Sequence, residues 1–226
     1  MTTIGIFGGT FDPIHVGHLQ TATELLEQLG LAEVRFVPCH VPPHDKSPMA
    51  SAEVRLRMLQ AAVDGTPGFI IDERELRRAG PSYSVDTLES MRSEFPGRSL
   101  GLIVGMDAFT TLASWHRWED LFGLAHIIVV HRPSAEVPGA GALGALLDER
   151  RVRDAADLDR SPAGGILLHA VTQLDISSTD IRGRVHRGAS PRYLVTEPVA
   201  DIIAATGCYR DSGAGDSGAG DSGTGD

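Results

Sequence analysis

Short apolar segments without polar alternation recur along the chain, and segments with helical spacing lie between them. The apolar segments include IGIFGG, EVRFVP, FII, LGLIVG, AHIIVV and GGILLHAV. Strands of this kind are typical of sheets covered on both faces, and their alternation with helices favours parallel pairing. We therefore predict an α/β fold: a doubly wound, mostly parallel sheet, Rossmann-like, with helices on both faces.

Helical patterns separate these strands. In HVGHLQTATELLEQLG the apolar side chains are predicted to form one stripe made by Val16, Leu19, Leu26 and Leu29. Ser51 precedes the pattern AEVRLRMLQAAV and is the expected N-cap of that helix. Further helices are predicted over SYSVDTLESMRSEF, SSTDIRGRVHRG and TEPVADIIAATG, and a short one in the glycine-rich connection at 138–147.

The chain divides into one domain, residues 1–210, and a tail, residues 211–226. The tail is a repeat of Asp, Ser and Gly in which no apolar side chain is larger than alanine. Such a composition cannot offset the entropy of ordering, so we expect the tail to be disordered.

Composition excludes several classes of function. The formal net charge of −10 disfavours sequence-independent binding to nucleic acid, which needs a basic face. We find no apolar run long enough to cross a membrane and no signal peptide before the first strand, so we expect a cytoplasmic protein. Cys39 and Cys208 lie far apart and indicate neither a disulfide framework nor a zinc cluster.

The segment GGTFDPIHVGH joins the first strand to the first helix. In doubly wound sheets, ligands bind outside the carboxyl ends of the strands, where the strand order reverses. Gly8 and Gly9 would let a phosphate approach the backbone, and Thr10 adds an N–H and a hydroxyl group. The following helix points its positive N-terminus at the same place. The segment has neither the dinucleotide-binding G-x-G-x-x-G pattern nor the Walker pattern.

His15 and His18 are three residues apart at the mouth of the first helix, so they can reach one site together. Gly17 between them leaves room for a ligand. Beside bound phosphates, both imidazoles are expected to be protonated and to donate to oxygens that gain charge in a phosphoryl-type transition state. No third or fourth ligand accompanies the pair at zinc-site spacing, so we predict no metal site.

Together, GGTFDPIHVGH and ISSTDIR, residues 176–182, resemble the nucleotidyltransferase superfamily with His-x-Gly-His and Ile-Ser-Ser-Thr-x-Ile-Arg motifs. The resemblance implies transfer of a nucleoside monophosphate to a phosphate acceptor with release of pyrophosphate and no covalent intermediate. It implies that His15 and His18 are catalytic. The residues expected to bind ATP are Gly8, Gly9, Thr10, Phe11, Ser177, Ser178, Thr179 and Arg182.

Three further stretches, PPHDKS, PSYSVDTL and GMDAFTTLASWHRWEDL, resemble the bacterial nicotinate-nucleotide adenylyltransferases. The resemblance covers essentially the whole ordered chain. It implies that ATP and nicotinate mononucleotide react to give deamido-NAD and pyrophosphate, with Mg²⁺ arriving on the triphosphate.

An acceptor with a flat pyridine ring needs an aromatic platform, for which we predict Trp118, although packing is the simpler role for that side chain. Its ring carboxylate needs donors, expected at the helix opening near Thr87 and at backbone N–H groups around Trp118. Asp107 is predicted to bind a ribose and Arg132 a phosphate.

The family commonly places a basic residue directly after PPH, but here Asp45 stands at that position and Lys46 follows. Either Lys46 reaches the phosphates from a shifted loop or His44 does so. Both are therefore predicted substrate-binding residues.

Three alternatives stay open at this point. Nicotinamide mononucleotide is nearly isosteric with the nicotinate acceptor. Phosphopantetheine adenylyltransferase shares the first motif, but its chains are typically shorter and should lack WHRW and SYSVDTL. A non-catalytic nucleotide sensor could keep the glycines but would not need both histidines. The sequence does not indicate an oligomeric state.

Overall fold

The structure, a computed structural model, describes residues 2–43, 47–132, 141–172 and 174–210, with the backbone alone at 141 and 142. The predictions for His44, Lys46 and the tail at 211–226 lie outside the described residues. Within the described part, no helix combines the length and apolar character needed to span a bilayer.

The strands and helices follow one another along the chain in the predicted alternation. The strands are β1 Ile4–Gly9, β2 Glu33–Pro38, β3 Phe69–Ile71, β4 Leu100–Gly105, β5 His126–His131, β6 Arg151–Val152 and β7 Ile166–Ala170. The longer helices are α1 Val16–Gln28, α2 Ala52–Val63, α4 Ser84–Glu94, α7 Gly141–Arg150, α9 Ser178–His186 and α10 Glu197–Thr206. The short helices are α3 Arg74–Arg77, α5 Met106–Thr110, α6 Leu121–Leu124 and α8 Ala155–Leu158.

The seven described strands form one sheet in the order β3-β2-β1-β4-β5-β7-β6, and every pairing between them is parallel. From β1 the chain builds outward through β2 and β3, and it then returns to place β4 on the other side of β1. The strand order therefore reverses between β1 and β4, and their carboxyl ends diverge there. The predicted doubly wound fold is confirmed.

Helices cover both faces of the sheet, as predicted. On one face, α1, α2, α9 and α10 pack against inward side chains such as Phe36 and Ile128. On the other face, α4, α5 and α6 pack against side chains such as Ile6 and Val129. Because successive strand residues point to opposite faces, both faces need apolar residues, and this produces the uniformly apolar strands of the sequence.

The buried stripe of α1 differs from the predicted one. Its buried apolar side chains are Ala22 and Leu25, while Leu19, Leu26 and Leu29 pack along the edge of the core, half-buried. Glu24 is also buried, because its carboxylate accepts hydrogen bonds from Gln20 Nε2 at 2.7 Å and Thr172 N at 2.8 Å. The sequence pattern does not predict this, because a glutamate that is buried and paired looks the same in the sequence as an exposed one.

The short helices and the two-residue strand β6 were not predicted, because segments of two to five residues are too short to show a period. The helix within the glycine-rich connection is present as α7, although residues 138–140 of that prediction lie outside the described part. Two further turns of 3₁₀ helix, Leu112–Ser114 and Trp118–Asp120, lie between α5 and α6.

The N-cap of α2 is where the sequence predicts it, since Ser51 Oγ accepts a hydrogen bond from Val54 N at 3.3 Å. We expect Ser51→Ala to lower the free energy of unfolding by about 1 kcal/mol, because the amide loses its acceptor. Ser51→Asp should unfold like the wild type, since aspartate caps equally well. Urea unfolding of the three proteins measures this, and an unchanged Ser51→Ala variant would contradict the capping role.

Candidate functional site

A cavity of about 700 Å³ opens at the carboxyl ends of β1 and β4, where the strand order reverses. This volume lies within the usual range for small-molecule sites, about 300–1,000 Å³. The lining comes from residues 7–10, 42–43, 82–84, 102–105 and 114–116, with Cys39, Glu75, Ala108 and Thr111.

The two glycines at the end of β1 differ in their surroundings. A Cβ atom built on Gly8 would meet no atom of the described residues within 4 Å, so the backbone there is open to the cavity. A Cβ atom on Gly9 would lie 3.0 Å from Phe11 Cζ. Gly8 therefore leaves room for a ligand, whereas Gly9 leaves room for a side chain of the protein itself.

Phe11 adopts a backbone conformation that a bulky residue rarely takes, with φ at 47°. Its ring is buried and makes edge contacts with Phe7 and His18, at centroid distances of 5.9 and 5.3 Å. Strain of this kind costs about 1–3 kcal/mol and persists where the surroundings over-determine it. The predicted ATP-binding residue Phe11 can thus offer its backbone to a ligand, while its ring supports the turn.

His15 and His18 lie at the start of α1, as predicted, and their rings stack with centroids 3.7 Å apart. The backbone N–H of His15 donates to His18 Nδ1 at 3.3 Å. Since Nδ1 accepts, the proton of a neutral His18 ring is on Nε2. His15 Nδ1 is buried and has no hydrogen-bond partner among the described residues. A Cβ at Gly17 would approach this ring to 3.1 Å, so glycine there makes room for His15.

Burial governs the charge of this pair. Loss of hydration lowers the pKa of His15 to about 4 and that of His18 to about 3, the latter also because of the neighbouring His15. Both rings are therefore neutral at pH 7 in the protein alone. The protonated rings expected from the sequence would need the negative charge of a bound phosphate.

The second motif lies beside the first. Ser178 Oγ donates to the carbonyl of Pro13 at 2.9 Å, and Arg182 Nη1 donates to the carbonyl of Asp12 at 2.7 Å. Ser177 is the N-cap of α9 and accepts a hydrogen bond from Asp180 N, as a capping serine does. The motif thus holds the first loop through Ser178 and Arg182, a contact that the sequence did not reveal.

A buried carboxylate, Asp12, joins several segments behind the loop. It accepts hydrogen bonds from Met49 N at 2.8 Å, from Ala50 N at 3.2 Å and from Tyr209 Oη at 2.6 Å. Burial, with the Asp12 contact, raises the pKa of the Tyr209 hydroxyl, which therefore stays a donor. Sequence reasoning missed both residues, since no local pattern links positions 12 and 209.

None of the predicted acceptor-binding residues that the structure describes is among the residues that line the cavity. Thr87, in the first turns of α4, is buried, and its hydroxyl donates to Glu75 Oε1 at 2.6 Å. Asp107 is exposed in the first turn of α5, and Arg132, after β5, pairs with Asp175 at 3.1 Å. Trp118 is half-buried and packs edge-on against Phe122. Their binding roles stay predictions.

Other side chains line the cavity more directly. Trp115, His116 and Tyr83 are among the lining residues, and the rings of Tyr83 and His116 lie 4.3 Å apart. Glu75 also reaches the lining, and burial raises the pKa of its carboxyl group. The sequence predicts Trp118 of WHRW as the aromatic platform, whereas Trp115 of the same stretch is the tryptophan that lines the cavity.

The donors around the cavity do not make a metal centre of their own. Among the described residues, no three His, Cys, Asp or Glu side chains come together as a ligand group. The carboxylate of Asp12, two residues after Thr10, already accepts hydrogen bonds from two amides and a phenol. Any Mg²⁺ bound here would therefore need phosphate oxygens or water among its ligands as well as the described residues.

Comparison with known proteins adds independent findings. Residues 6–184 match the family model described as cytidylyltransferase-like. A protein of Methylococcus capsulatus named "Probable nicotinate-nucleotide adenylyltransferase" is 49% identical over 207 residues, covering 91% of this chain and 99% of the relative. A protein of the same name from Marinobacter nauticus is 46% identical over 205 residues, covering 90% and 95%.

A solved structure shares the fold. It is Plasmodium falciparum nicotinic acid mononucleotide adenylyltransferase complexed with NaAD, which aligns with a TM-score of 0.70 at 17% identity. The alignment covers 92% of this chain and 98% of that chain.

The buried histidines make stability depend on pH. In the unfolded chain both histidines become protonated below their usual pKa of 6.5. In the folded protein, His15 becomes protonated only near pH 4 and His18 only near pH 3. The free energy of unfolding should therefore fall as the pH drops from 6.5 towards 4, by at most about 1.4 kcal/mol per pH unit for each ring. Urea unfolding between about pH 7.5 and about pH 5 measures the loss.

The double variant His15→Asn/His18→Asn serves as the comparison, because asparagine does not titrate. It should lose less stability over the same pH range. A smaller loss should remain, since burial also lowers the pKa of His126 and His169. Equal losses in the two proteins would contradict the burial of neutral imidazoles.

Proposed function

The chain belongs to the cytidylyltransferase-like family and, within it, to the nicotinate-nucleotide adenylyltransferases, and on that premise we propose how its residues transfer AMP from ATP to nicotinate mononucleotide. The products are deamido-NAD and pyrophosphate, in the biosynthesis of NAD. The observation that carries the proposal is the stacked pair His15–His18 at the start of α1, because His18 makes an edge contact with Phe7, which lines the cavity together with the open backbone of Gly8.

In this reaction the 5′-phosphate of the mononucleotide attacks the α-phosphorus of ATP in line, and pyrophosphate leaves. The protein forms no covalent intermediate, so catalysis consists of positioning and of stabilising charge. We place the triphosphate against the turn formed by Gly8, Gly9 and Thr10, with the N-terminus of α1 directed at it. The two imidazoles then lie where negative charge accumulates.

His18 can donate a hydrogen bond to a phosphate oxygen without being protonated. Its Nδ1 is occupied by the backbone N–H of His15, so the donor is Nε2–H even in the neutral ring. A bound triphosphate would also raise the pKa of both rings, because a nearby anion favours the charged form. The pair can therefore strengthen its contacts as charge develops on the α-phosphate.

The second motif contributes in two ways. Ser178 and Arg182 hold the first loop through the carbonyls of Pro13 and Asp12. Thr179 is exposed on the first turn of α9 and accepts from Arg182 Nη2 at 3.1 Å. We propose that Ser177, Thr179 and the remaining N–H donors of Arg182 contact ATP.

On the acceptor side, the N-terminus of α4 reaches the cavity at Tyr83 and Ser84. A helix N-terminus favours a carboxylate over a neutral amide, which supports nicotinate mononucleotide as acceptor. The proposal keeps Trp118 for stacking, Asp107 for a ribose, Arg132 for a phosphate and the start of α4 near Thr87 for the carboxylate. It assigns phosphate contacts to Lys46 or His44.

Mg²⁺ enters the proposal as a companion of ATP, with phosphate oxygens and water as its ligands. The residues present do not supply a cage for it, and no step is routed through it. We also propose that the enzyme works in the cytoplasm, where ATP is abundant.

The role of His18 can be tested by substitution. His18→Ala removes a donor from the developing charge and should raise the activation free energy by about two to four kcal/mol. A steady-state assay of pyrophosphate release with nicotinate mononucleotide measures this. His186→Ala, at the exposed end of α9, is the control and should turn over like the wild type. A fully active His18→Ala variant would refute the assignment.

Acceptor choice can be tested by product analysis. With equal concentrations of nicotinate and nicotinamide mononucleotide, we expect deamido-NAD to be the main product, since α4 directs its N-terminus into the cavity. Mass spectrometry of the two products gives the ratio. Predominant NAD would favour the amidated acceptor, and ATP binding without either product would favour a nucleotide sensor.

A further inference from the structure

Arg55, on α2, is a buried arginine whose guanidinium group contacts the turn after β1, formed by Gly8, Gly9 and Thr10. It is 1% exposed. Its Nη1 donates to the carbonyl of Thr10 at 2.7 Å, its Nε to that of Ala50 at 3.3 Å and its Nη2 to that of His40 at 3.5 Å. The donors of arginine are fixed in one plane and reach three carbonyls in set directions, an arrangement that the compact ammonium group of lysine does not reproduce.

The Thr10 carbonyl belongs to the peptide that leads into Phe11, the residue with φ at 47°. A bulky residue in this region persists only where neighbours hold it. Arg55 holds the peptide before Phe11, and the burial of the Phe11 ring holds the residue itself. The strained turn therefore depends on a side chain that lies outside both motifs.

The same guanidinium group also holds both ends of the segment 40–50, through His40 and Ala50. Asp12 binds the amides of Met49 and Ala50 next to it. The carbonyl of Ala50 thus faces Arg55 and its amide faces Asp12, so the peptide groups on both sides of this residue are held.

We propose that Arg55 is a positioning residue for adenylyl transfer, which fixes the turn of Gly8, Gly9 and Thr10 against the triphosphate by holding the Thr10 carbonyl. The proposal rests on the proposed function for the identity of the reaction, and on the described contacts for the positioning itself. Arg55 is not among the residues that line the cavity. It acts through Thr10 and Phe11, and Phe11 in turn contacts His18.

Arg92 offers a matched control. It is a half-buried arginine on α4 that also donates to backbone carbonyls, those of Leu124, Arg98 and Pro162. These residues precede β5, β4 and β7, so they lie at the amino ends of the strands, the edge opposite the cavity. Arg92→Lys should therefore destabilise the protein without disturbing the turn.

The experiment compares Arg55→Lys and Arg92→Lys with the wild type. For Arg55→Lys we expect kcat to fall about ten- to hundredfold, as for a small misplacement of reacting groups. The NMR signals of the His18 ring should also shift, because the Phe11 ring 5.3 Å away would move. Arg92→Lys should lower the melting temperature and leave both kcat and the His18 signals as in the wild type.

If Arg55→Lys loses stability but keeps the kcat and the His18 signals of the wild type, Arg55 is merely structural and the proposal is overturned. Should the lysine variant fail to fold, Arg55→Gln, which is neutral and keeps an N–H donor, is subjected to the same comparison. If the wild type makes no deamido-NAD, the proposed function fails, and the His18 signals still decide whether Arg55 positions the turn.

Discussion

Parallel pairing is the constraint on which the whole arrangement depends. Because every described strand runs in the same direction, all carboxyl ends meet at one edge, and the reversal of order between β1 and β4 opens a cavity there. The loops that follow the strands then have a common place to converge. The glycine turn, the histidine pair and the N-terminus of α4 all reach this edge.

The turn after β1 is held from behind by groups that no ligand needs to touch. Asp12 accepts from backbone amides and from Tyr209, and its own carbonyl accepts from Arg182. Arg55 fixes the Thr10 carbonyl beside it. Each of these bonds is buried or partly buried, so water competes poorly for the partners. These bonds hold the backbone of the turn in place, so that the space beside Gly8 is left free for a ligand.

Local signals predicted much of this protein. The apolar strands, the Ser51 cap and the position of His15 and His18 at the start of α1 all follow from short stretches of sequence. The roles of Asp12, Arg55 and Tyr209 were not predicted, because they depend on contacts between positions that are far apart in the sequence. The neutral state of His15 and His18 was not predicted either, because it results from burial, which arises only when the chain is packed.

Tyr209 lies close to the end of the described chain, yet its hydroxyl donates a hydrogen bond to Asp12, close to the beginning. The amino end of a chain leaves the ribosome first. The early strands can therefore pair while the loop at Asp12 still lacks its hydrogen bond from Tyr209. Synthesis must therefore reach residue 209 before this hydrogen bond can form. A polypeptide that ended before residue 209 would carry both motifs but would lack the hydrogen bond from Tyr209 to Asp12 behind them.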